Sequence, residues 1–186
     1  MARVSDTRER IVAAAAKLFY AEGIGRVSVD AVVEKAGVTK RTLYYHFRSK
    51  DDLVAACLDE RDQPNLKQMA AWFAATNGPL ADKISAIFSE LARVARHPKW
   101  KGCAFLRTAA ELAAMPGHPA ALIGARHKKN FAEWLAGEIR AAGHDDADEV
   151  AREILILLDG AFSAAFLHRD SGWFDTAGRA AVKLLR

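Results

Sequence analysis

The densest set of groups able to hold phosphate or read a base edge lies between Ser28 and Lys50, in SVDAVVEKAGVTKRTLYYHFRSK. Lys40 and Arg41 supply cations, Thr39 and Thr42 hydroxyls, and Tyr44, Tyr45 and His46 aromatic donors, with Ser28 and Lys50 at the two ends. Such side chains bond phosphate oxygens and the donor–acceptor pattern of the major groove.

Two short helices must present them. Val29, Val32, Val33 and Ala36 fall at i, i+3, i+4 and i+7, one apolar face of a helix over 29–36. Ser28 stands before it as an N-cap, and Gly37 after it as the residue that takes positive φ cheaply. Thr39 then caps a second helix over 40–47, where Leu43 and Phe47 point inward together. A helix so short does not stand alone in water, so its outer face is offered on a support. Two such helices on a tight glycine turn describe a helix-turn-helix. The other reading of the same pattern is an αα-hairpin with a solvated basic face.

The stretch resembles the TetR family of transcriptional regulators. The resemblance rests on Leu18-Phe19, Gly23-Ile24, Val27-Ser28-Val29, Ala36-Gly37-Val38, Leu43-Tyr44-Tyr45-His46-Phe47, Ser49-Lys50 and Leu53, and covers about Thr7 to Leu58. It implies a ligand-responsive repressor that binds a double-stranded, near-palindromic DNA operator as a homodimer and is released by a small-molecule effector. Lys40, Tyr44, Tyr45, His46 and Lys50 would then mainly hold phosphates, while Thr39, Arg41 and Thr42 would face base edges. Arg41 could bond guanine in bidentate fashion, worth about 1–3 kcal/mol of discrimination. His46 could equally pack at the helix end. The second module should hold a small apolar or aromatic effector.

Charge agrees with a polyanionic partner. The 186 residues carry a formal net charge of +4. Residues 1–50 hold ten of the 27 Lys/Arg and five of the 23 Asp/Glu, so all the excess positive charge lies with the suspected reading head. Two distant cysteines, Cys57 and Cys103, form no CxxC pair and suit a reducing compartment. MARVSDTRER has no apolar leader core, and the longest apolar run, 154–167, is too short to cross a bilayer. A cytoplasmic protein with no membrane association is expected. No GxSxG, HExxH, P-loop or GxGxxG motif is present. Glu111 is the one carboxylate in the apolar stretch 103–114, and one carboxylate makes no acid–base pair. Neither an enzyme nor any cofactor or metal is expected.

The fold expected is all-α, with about nine helices. Residues 1–55 form a three-helix helix-turn-helix domain and residues 56–186 a helical ligand-binding and dimerisation domain. Asp6 and Glu9 have capping-box spacing at the start of the first helix. Pro64 interrupts or kinks the helix that leaves the head. Later helices are expected over 80–96, 103–114, 119–142, 147–168 and 175–186. Phe88, Trp100, Cys103, Phe105, His127, Phe131, Trp134, Phe162 and Phe166 could line an apolar cavity or simply fill the core. Cys103 is either a sensor thiol or an inert one. The helix over 147–168 is apolar nearly all round, so it is either a core helix of a monomer or part of a dimer interface. Leu157, Gly160, Ala161, Ala164, Ala165 and Leu184 are the candidates for that interface.

Overall fold

A computed structural model describes residues 2–115 and 117–186, with side chains from residue 6 onward. Among the described residues the chain is all-helical, as expected. The helices are α1 (Ala2–Glu22), α2 (Val29–Ala36), α3 (Lys40–His46), α4 (Lys50–Ala75), α5 (Leu80–Ala95), α6 (Ala104–Glu111), α7 (Pro119–Ala141), α8 (Ala147–His168) and α9 (Gly172–Lys183). No helix is long and apolar enough to cross a membrane among the described residues.

The chain forms two compact units. The first is the chain up to Asp62 together with Ala104–Ala125; the second is Gln63–Cys103 with Arg126–Arg186. This division differs from a single cut near residue 55. Cys57 and Leu58 are buried, and α6 returns to the first unit, where its side chains bond the backbone at Tyr20, Ile24 and Gly25.

In the first unit α1 buries Ile11, Ala15 and Phe19, the stripe that its helical period predicts. Val32 of α2, Leu43 of α3 and Leu53 of α4 are buried as well. In the second unit one core joins Ile84, Phe88, Leu135, Ile154, Leu158 and Phe174. Here α9 packs closely on α5: a Cβ placed on Gly178 would lie 2.9 Å from Phe88 Cβ.

Several ends fall elsewhere than the sequence suggested. The first helix begins at Ala2, so Asp6 and Glu9 lie inside it and form no capping box. Helix α4 continues through Pro64 without interruption. Gln63, Pro64 and Asn65 are all exposed, so this stretch faces solvent, where water can replace the missing bond. Helix α6 stops at Glu111. Helix α9 starts at Gly172 because Arg169 turns the chain at φ +53° and the Asp170 carboxylate accepts the Gly172 N–H at 2.8 Å.

The interface candidates divide by helical phase. Ala161 and Ala165 face the core with Ile154 and Leu158 and are buried there, so they are not available to a partner. Leu157, Ala164 and Leu184 are half-buried and Gly160 is exposed.

The close approach of α9 to α5 gives a stability test. Gly178→Ala gains helix propensity of about 1 kcal/mol, but overpacking against Phe88 costs about 1–3 kcal/mol. A lower melting temperature is expected; an increase would show that α5 and α9 can separate freely.

Candidate nucleic-acid interface

The two-helix unit is closed at each joint by a side chain. Ser28 Oγ accepts the Ala31 N–H at 3.1 Å and so caps α2. Gly37, at φ +64°, ends α2, and the Arg10 guanidinium of α1 donates to the freed carbonyl of Ala36 at 2.7 Å. Thr39 Oγ1 accepts the Thr42 N–H at 3.1 Å and caps α3. The Lys40 ammonium meets the Asp30 carboxylate at 2.8 Å, tying α3 back to α2. That hydrogen bond, with the charge of Asp30, raises the Lys40 pKa above its ordinary value.

Leu43 and Phe47 are buried and fix the inner face of α3. Arg8 of α1 lies 5.3 Å from the centre of the Phe47 ring and also pairs with Glu60 at 2.8 Å. The outer face then shows Lys40, Arg41, Tyr44 and Tyr45, with Tyr45 78% exposed. Thr42 shares a hydroxyl hydrogen bond of 2.9 Å with Thr39. His46 is half-buried and meets Tyr45 edge to face at 5.2 Å. Lys50 stands apart: its ammonium donates to the Ile24 carbonyl and lies 5.9 Å from the Phe19 ring centre, so part of its capacity is spent inside the unit.

The residues proposed for an effector cavity divide between the two units. Phe105 is buried in the first unit. The other eight belong to the second. There Phe88 and Phe131 are buried in the core, and Trp134 packs between Phe131 and Phe73 at centroid distances of 5.7 and 5.5 Å. Trp100 and Phe162 both meet Phe174, at 6.2 and 5.0 Å. His127 is buried, Cys103 half-buried and Phe166 exposed. Trp100, Phe131, Trp134 and Phe162 each meet a neighbouring ring edge to face or tilted.

A small cleft opens instead in the first unit, among α1, the start of α4 and α6. Its walls include Phe19, Tyr20, Ile24, Val54, Cys57, Leu58, Arg61, Arg107, Thr108 and Glu111. Its volume is about 30 Å³, room for about two waters. The functional groups that the sequence reading did not connect to the head are Arg107 and Glu111 of α6. Their signal was visible: a carboxylate four residues after an arginine in an otherwise apolar stretch.

A seven-residue helix held outward by caps at its turn, with cations and hydroxyls facing solvent, puts the protein among helix-turn-helix DNA-binding regulators. The model of bacterial regulatory proteins of the tetR family matches residues 11–57. SCO4454, a TetR-family transcriptional regulator from Streptomyces coelicolor, has a TM-score of 0.83 at 31% identity, over 96% of this chain and 95% of its own. A TetR transcriptional regulator from Streptomyces avermitilis gives 0.80 at 30% identity, over 94% of this chain and 97% of its own. The HTH-type transcriptional regulator SrpR of Pseudomonas putida is 38% identical over 63 residues, 34% of this chain and only 30% of that protein's length. The chain belongs to the TetR family and is a transcriptional regulator with a DNA-binding helix-turn-helix head.

Burial also decides the chemistry of Cys57, whose thiol donates to the Val12 carbonyl at 3.6 Å. Desolvation pushes its pKa up to about 12, so at pH 8 almost none of it is thiolate. Iodoacetamide should leave Cys57 unmodified in the folded protein and alkylate it in denaturant. Peptide mass mapping checks this; rapid labelling of the folded protein would mean that the thiol is open.

Proposed function

We propose that the protein is a repressor that binds a near-palindromic operator as a homodimer in the cytoplasm and is released by a small apolar or aromatic effector. The observation that carries the reading is the solvent-facing set on α3, Lys40, Arg41, Tyr44 and Tyr45, on a helix whose inner face and both joints are fixed. Thr39, Arg41 and Thr42 face base edges. Ser28, Lys40, Tyr44, Tyr45, His46 and Lys50 hold phosphates, Lys50 with what its internal bond leaves free.

One head makes few contacts, so useful affinity needs two, set about one turn of DNA or a multiple of it apart. Support for the second copy comes from α8. Ile156 and Leu167 are 70% and 74% exposed, and Gly160, where an added Cβ would meet nothing within 4 Å, lies on the same side of the helix. Apolar side chains so exposed on one face are what an isologous two-fold contact covers. Helix α4, which contributes to both compact units, carries an effector's influence from the second unit to the head. The effector acts only as far as it binds the two states of the dimer differently, typically by about 1–3 kcal/mol.

The ring-to-ring packing of the second unit favours one other reading, a DNA-binding regulator without a small-molecule effector. Titration of candidate effectors, followed by Trp134 fluorescence and operator affinity together, separates the two. Saturable binding that leaves operator affinity unchanged would remove the induction step.

The DNA reading is tested by selecting bound duplexes from a random pool and measuring the best one across a salt series. A two-fold-symmetric sequence bound far more tightly than random DNA is expected. Weak binding with no preferred sequence and a steep salt slope would reduce the head to an electrostatic patch. Arg41→Ala should weaken the selected duplex by about 1–3 kcal/mol and relax preference at one base pair of each half-site. Ile156→Lys with Leu167→Lys should shift sedimentation from dimer to monomer and lose the operator with it; an unchanged dimer would place the interface elsewhere.

A further inference from the structure

The turn between α1 and α2 has its backbone held by side chains far away in sequence. Glu111 Oε2 accepts the Ile24 N–H at 3.1 Å, and Glu111 Oε1 accepts the Gly25 N–H at 3.0 Å. Two successive amides thus converge on one carboxylate, a charge-assisted pair of bonds. Arg107, one helical turn before Glu111 and on the same face of α6, donates to the Tyr20 carbonyl at 2.9 Å. That carbonyl belongs to the last turn of α1, where no intrahelical donor follows. The Arg107 guanidinium lies 5.4 Å from the centre of the Tyr20 ring, and Arg61 lies 5.3 Å from it. Cation and anion of α6 therefore match the polarity of the two backbone ends they meet. Ile24 and Val27 are buried on either side of the turn, and Ser28 caps α2 immediately after it. The direction in which the chain leaves α1 sets where α2 and α3 begin.

The connectivity makes this arrangement more than a local clasp. Helix α6 lies in Ala104–Ala125, which packs with the head, yet the chain on both sides of it, Cys103 before and Arg126 after, belongs to the other compact unit.

We propose that Glu111 and Arg107 are positioning residues for DNA binding. They hold the α1–α2 turn, and through it the α2–α3 hairpin, from a segment whose two covalent ends are governed by the second unit. The consequence for operator affinity rests on the operator-binding reading above.

Glu111→Gln is the sharp test, because it keeps shape and volume but turns a donor amide toward one of the two backbone N–H groups. The full-length variant is compared with wild type for the duplex selected by wild type and for a scrambled duplex of equal length. Amide exchange at Ile24, Gly25 and Ala31 is followed alongside. Affinity for the selected duplex should fall about tenfold, the scale of one charge-assisted bond, while scrambled DNA binds as before. Exchange should quicken at Ile24 and Gly25 and stay unchanged at Ala31. Arg107→Met should repeat the loss of selectivity. Selective binding within about twofold of wild type, or equal loss for both duplexes, overturns the proposal. So does a variant that loses its helical circular dichroism, since the pair would then serve folding alone. Should wild type itself select no duplex, the operator reading fails, and unchanged exchange at Ile24 and Gly25 would remove the clasp independently.

Discussion

A helix of seven residues has too few internal hydrogen bonds to offset the cost of ordering it, and the reading head depends on meeting that shortfall from outside. Leu43 and Phe47 bury its inner face, Thr39 closes its first turn, and Asp30 holds Lys40 from the neighbouring helix. Arg10 does the same for the other side of the turn by bonding Ala36. Leu43 and Phe47 lie on the inner surface of the hairpin and Thr39 and Arg10 at its joint, while the Asp30–Lys40 pair remains exposed. The outer surface is thereby left to Arg41, Tyr44 and Tyr45, whose solvation in the free protein is not spent on folding.

The head was legible because its signals are local. An apolar period of 3.6, a hydroxyl at each N-cap and a glycine at the turn all lie within a few residues of what they control, and Ser28, Gly37 and Thr39 act as their positions indicate. Helix ends without a strong stop were less legible. Nothing near Asp6 forbids an earlier start to α1, and Pro64 is tolerated where its flank is exposed. The phase of α8 was the harder problem. A helix apolar on nearly all sides gives no contrast by which to tell core from surface, so Ala161 and Ala165 were grouped with Gly160 although they face the opposite way.

Aromatic content likewise announces volume and not vacancy. Phe88, Phe131 and Trp134 could be read as a lining or as filling; in the structure Phe88 and Phe131 are buried, and Trp134 meets both Phe131 and Phe73. Glu111 shows the converse case. Its isolation in an apolar stretch was plain in the sequence, but its partners are backbone amides some 86 residues away, and backbone groups leave no mark in residue types.

The return of α6 to the first unit also bears on how the protein can be cut and joined. A fragment ending at Asp62 would keep α1, α2 and α3 but leave the amides of Ile24 and Gly25 without the carboxylate that receives them. The head is therefore not a portable cassette. A chimaera that grafts it onto another body must bring α6 along or find a substitute for Glu111. On the ribosome, too, the head stays incomplete until about 65 residues beyond α3 have been made, because α6 lies in sequence between the two segments of the second unit.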